Sequence, residues 1–87
     1  MPNKKETELK QTIKTLLLSN IELIRSYVAD QDTGDPGSEY MKNMEKDIAY
    51  DLAPLLKTLK FLGAKDRKEC GEKINEIYTF FGKQGDL

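Results

Sequence analysis

Over residues 38–62 the chain reads SEYMKNMEKDIAYDLAPLLKTLKFL, and Met41, Met44, Ile48, Leu52, Leu55, Leu59 and Leu62 recur every three or four positions. Side chains with that period share one face of an α-helix, so this stretch must lay an apolar stripe against something else. Gly37 and Ser38 stand before it and Gly63 after it, which predicts one long helix over 38–62. Pro54 removes a backbone hydrogen bond and crowds the carbonyl of Tyr50. The apolar period nevertheless runs through it, from Ile48 and Leu52 to Leu55 and Leu59. The reading is therefore one kinked helix; the alternative is a break at Asp51, giving four short helices.

Two further helices are predicted to fold against this one. The first covers about 6–29, with Ile13, Leu17, Ile21, Ile24 and Val28 inward and Leu9, Leu16 and Tyr27 beside them. Leu18 and Leu23 lie far round on either side, so the apolar arc is wider than one seam requires. Either two neighbours meet it at mid-length, or part of it meets another chain. Asn20, near the inward face, reads as a rim residue or as a buried, register-setting amide. After Gly63, Asp66 and Glu69 have the D-x-x-E spacing of a capping box. That predicts a third helix over 66–81, with Cys70, Ile74, Ile77, Tyr78 and Phe81 inward and Gly82 as its cap. Gly71, at the edge of that face, would permit close helix approach. Residues 30–37, DQDTGDPG, form the one clear loop, short enough to make the flanking helices antiparallel.

The expected architecture is all-α, a three-helix antiparallel bundle forming a single domain over 1–87, with residues 1–5 and 83–87 loose. Composition agrees. With 38% hydrophobic and 33% charged residues, the apolar ones are gathered into periodic runs, which favours a folded domain over a disordered segment. A net charge of -1 argues against a general nucleic-acid or membrane-surface binder. No apolar run approaches a membrane span, and the N-terminal MPNKKETELK has no signal-peptide core, so a cytoplasmic location and no membrane partner are expected. Cys70, the single cysteine, fits a reducing compartment.

Four places invite a functional reading. The third helix is expected to span about 24 Å and the other two about 36 Å each, so it should stop short of the loop. Ile24, Tyr27, Val28, Tyr40, Met41 and Met44 would then lack a third layer and form an adaptable protein-binding or self-association surface. The competing expectation is that the tail after Gly82 covers them. At the opposite pole Lys57, Lys60, Lys65, Arg67 and Lys68 gather beside Lys4, Lys5 and Lys10, a basic end that faces an acidic loop pole along the same axis. It offers an alternative role in nucleic-acid contact. The loop's Asp30 and Asp32 begin a calcium pattern that fails at Gly34, Asp35 and Met41, so no metal is expected. Cys70 sits on an apolar face with no histidine in the chain to activate it. On the back of the 38–62 helix, Phe61 is expected to tuck under the turn at Gly63 and Tyr50 to be exposed.

Nothing in the chain resembles a phosphate cradle, a nucleophile elbow or an acid–base pair in a pocket, so neither catalysis nor a cofactor is expected. The leading expectation is a small non-catalytic helical interaction module, of the adaptor, chaperone, antagonist or immunity kind, binding a protein partner or itself. A nucleic-acid-associated regulator is the alternative.

Overall fold

The computed structural model describes residues 4–83. Three α-helices follow one another: α1 (Lys4–Gln31), α2 (Glu39–Thr58) and α3 (Ala64–Thr79), with a 3₁₀ turn (Leu59–Phe61) between the last two. The chain is an all-α three-helix bundle, drawn out to 50 × 20 × 16 Å.

α1 is the longest element, at 28 residues against 20 for α2. It also packs closely on both other helices, whereas α2 and α3 approach each other mainly through the 3₁₀ turn. α2 is therefore shorter than the long helix expected over 38–62. α2 begins where Ser38 caps it, its hydroxyl accepting from the Met41 N–H at 3.2 Å. It continues unbroken through Pro54, so the four-helix alternative fails. It ends at Thr58 rather than 62. There the backbone tightens into the 3₁₀ turn and Leu62 becomes extended, which buries Leu59 and Leu62 while turning the chain toward α3.

α1 runs two residues beyond its expected end, through Asp30 and Gln31. The loop that follows folds on its own side chains. Asp32 Oδ1 accepts from the Gly34 N–H and Asp35 Oδ1 from the Gly37 N–H, each at 2.9 Å. α3 starts at Ala64 behind an extended Gly63, earlier than a capping box at Asp66 would place it. The Asp66 and Glu69 carboxylates reach across to Lys14 of α1 instead, at 3.0 and 2.8 Å. A cation on a neighbouring helix outcompetes the local backbone for both acids.

The core takes Leu17, Ile21 and Val28 from α1 and Met41, Met44, Ile48 and Leu52 from α2. Cys70, Ile74 and Ile77 of α3, Leu59, Leu62 and Phe81 complete it. Gly71 is buried in the same face of α3. Each fully buried aliphatic side chain of this set contributes about 1.5–3 kcal/mol. Of the ends expected to be loose, Lys4 and Lys5 are helical, and Lys83 Nζ bonds Glu45 Oε1 at 2.7 Å. Residues 1–3 and 84–87 lie outside the described residues.

Candidate interaction surfaces

The loop pole is closed. Val28 and Met41 are 0% exposed and Met44 is 6% exposed, so three of the six residues expected to form an open patch belong to the core. Ile24 is half-buried, and only Tyr27 and Tyr40 reach the surface, with the Tyr40 hydroxyl donating to Gln31 Oε1 at 2.7 Å. α3 is short as expected, at 16 residues against 28 for α1, but no open patch results, because the chain does not stop where α3 stops. Past Thr79 a turn carries Phe81 into the core, and Gly82 lies so close to Pro36 that a β-carbon there would meet two ring carbons at 3.3 Å. Gly82 has φ +71, a conformation in which a side chain is strained, so glycine is required at this turn for two reasons. The Lys83–Glu45 ion pair then fastens the turn to α2.

Of the seven large apolar side chains left exposed among the described residues, four lie along α1. Leu9 is 60% exposed, Leu16 58%, Leu23 69% and Tyr27 54%. The three leucines are spaced by sevens and so form one row along the helix, with Tyr27 continuing it. The row lies about 100° around the helix from Leu17, Ile21 and Val28, which face α2 and α3. Ile13 is half-buried between the two faces, and Asn20 is exposed on the outer one, its amide donating to the Leu16 carbonyl at 2.8 Å. Asn20 is thus neither buried nor setting a register within the bundle. The clue to this row in the sequence is the excess width of the first helix's apolar arc.

At the other pole Lys57, Lys60, Lys65, Arg67 and Lys68 are all exposed. Lys60, Arg67 and Lys68 line one groove with Leu56, Leu59, Ala64 and Glu72; Lys57 and Lys65 lie outside it. Phe61 is exposed rather than tucked under the turn, with the Lys60 ammonium 5.3 Å from its ring centre. Tyr50 is exposed. Lys14, bonded to Glu69 and Asp66, is held above the ordinary lysine pKa by those two hydrogen bonds, Glu69 contributing more. These acids also dilute the positive field of this pole.

Burial pushes the Cys70 thiol up, with the Glu69 charge adding to it, so the group is a neutral core side chain. Asp32 and Asp35 are engaged in folding the loop, and among the described residues no three acidic, cysteine or histidine side chains converge on a common point. Among the same residues no helix is long and apolar enough to cross a membrane.

Fold and surface together define a small three-helix bundle whose first helix carries a row of exposed apolar side chains. No protein-family model, curated protein or solved structure matches the chain.

Proposed function

We propose that this chain is a small non-catalytic protein-interaction module whose contact surface is the outer face of α1. The observation that carries the reading is the row of Leu9, Leu16, Leu23 and Tyr27, each more than half exposed on one side of one helix. Scattered surface leucines are ordinary, but four large apolar side chains aligned along one helix and bordered by polar residues have the composition of a docking surface. The buried thiol of Cys70 agrees with residence in a reducing compartment, and we place the protein in the cytoplasm.

A photoreactive residue placed at Leu16 or Leu23 tests this in cells that express the protein, with the same probe at Tyr50 as control. Protein adducts at the two α1 positions and none at Tyr50 are expected. Equal labelling at all three sites, or none at either α1 site, removes the reading.

A second reading, a nucleic-acid-associated regulator, draws support from the clustering of Lys60, Arg67 and Lys68 around one groove. It predicts retention of DNA or RNA at low salt, steep weakening as salt rises, and loss in the Lys65→Glu, Lys68→Glu double variant. An absence of retention at low salt ends that reading.

A further inference from the structure

We infer that the partner on the outer face of α1 is a second copy of this chain, lying antiparallel to the first. The inference rests on the reading of that face as a docking surface and adds the identity and direction of the occupant. Three independent features of the molecule support it.

The first is the spacing. Leu9, Leu16 and Leu23 alternate with Ile13, Asn20 and Tyr27 at steps of four and three, the a/d pattern of a helix that pairs with another helix over several turns. The inner face of α1 is already occupied, so this seam is a second one on the same helix.

The second is area. The chain exposes 6200 Å². A compact monomer of its 9.9 kDa mass exposes about 5,200 Å² by the size scaling of globular proteins. The radius of gyration, 14.5 Å, likewise exceeds the roughly 12 Å of a compact chain of this length. The surplus, about 1,000 Å², belongs to a shape drawn out to 50 × 20 × 16 Å, in which the full length of α1, about 42 Å, offers its side to a partner.

The third is charge, and it selects the direction. Lys4, Lys5 and Lys10 stand at the start of α1, while Asp30, Asp32 and Asp35 stand at its end and in the loop beyond. A parallel pair sets lysines against lysines and aspartates against aspartates. An antiparallel pair sets each basic end beside the partner's acidic end, with Glu6 and Glu8 offsetting part of the gain. With a two-fold axis near residue 18, Leu9 meets Tyr27 of the copy, Ile13 meets Leu23, and Leu16 lies opposite Asn20. Asn20 keeps its bond to its own Leu16 carbonyl and needs no matching amide across the axis. Such a contact is self-complementary and closes at two chains.

Light scattering coupled to size-exclusion chromatography, run on the full chain across a concentration series, provides the test. The expected result is twice the 9.9 kDa chain mass, with dissociation at least tenfold easier in high salt. The Leu16→Glu, Leu23→Glu variant should run at the single-chain mass with its helical circular dichroism intact. Should that variant lose helicity, Leu16→Gln, Leu23→Gln makes the same comparison with residues that favour helix. A wild-type monomer at every concentration up to millimolar overturns the inference.

Direction is read by disulfide trapping in a Cys70→Ala background. Lys5→Cys and Gln31→Cys chains should cross-link when mixed and not when separate. Self-linking of either variant alone, or no cross-link in the mixture, overturns the antiparallel arrangement. A monomeric chain whose Leu16 probe labels a different protein sinks this inference while leaving the docking-surface reading standing. Absence of labelling sinks both.

Discussion

Leu16 and Leu17 are neighbours in the chain and identical in chemistry, yet Leu17 is buried between helices and Leu16 faces solvent. The same contrast repeats along α1, where Ile21 and Val28 are enclosed while Leu23 and Tyr27 are not. Hydrophobicity cannot separate the two sets. What separates them is reach: α2 and α3 together cover only one arc of α1, and a bundle of three helices has no fourth to cover the other. An apolar residue on a helix therefore reports a demand for burial, while the number of neighbours decides which demands are met within the chain.

The sharpest way to break this contrast is to truncate one residue on each face. Ile21→Ala should lose about 2–5 kcal/mol in denaturant unfolding, since it leaves a cavity in a closed core. Leu23→Ala, measured in dilute solution where single chains dominate, should change stability by less than about 0.5 kcal/mol. Equal losses would mean that the outer face is packed within the chain.

The closure of the loop pole is the next largest effect. Gly82→Ala should cost more than about 1 kcal/mol, because it combines a positive φ with a contact on Pro36. If that closure is what covers Met41, the variant should also speed amide exchange around it. A neutral result would show that the turn is not what covers Met41 and Met44.

The smallest effect belongs to Lys14, at the margin of the inner face. Its folded-state pKa is raised by Glu69 and Asp66, so the stability it contributes is complete below about pH 10.4, where an unfolded lysine is also charged. That stability fades as pH climbs through the higher folded value. Lys14→Met should therefore lower the melting temperature slightly at neutral pH, and the gap to the wild type should close in strong alkali. A gap that widens with pH would contradict the sign.

Much of the bundle could be read before any coordinates. The three- and four-residue periods name the buried faces of all three helices, and the glycines at 37 and 63 bracket α2 with its 3₁₀ extension. Where structure and sequence pattern differ the cause is shared: distant residues decide what a local pattern leaves open. Asp66 and Glu69 match a capping box, but Lys14, some fifty positions away, claims them. Residues 59–62 fit the helical period equally well as α-helix or as 3₁₀ turn, and only the need to redirect the chain chooses. Straight helices of unequal length would leave Met41 and Met44 at the surface, but the turn after Thr79 folds onto Pro36. The exposed row on α1 was visible as an arc too wide for one seam. Which part of that arc stays exposed depends on the side of α1 that α2 and α3 occupy.

With three helices the chain passes along the bundle an odd number of times. Lys4 therefore begins at one end, and Lys83, pinned to Glu45, finishes at the other, separated by roughly the 42 Å length of α1. A hairpin of two helices would return its ends to one place; this fold keeps them apart. Groups attached at Lys4 and Lys83 are held at a set distance by a stiff rod, and a dye on each would give an energy-transfer signal that falls when the bundle comes undone, because an unfolded chain of this length spreads to a radius of gyration of about 29 Å.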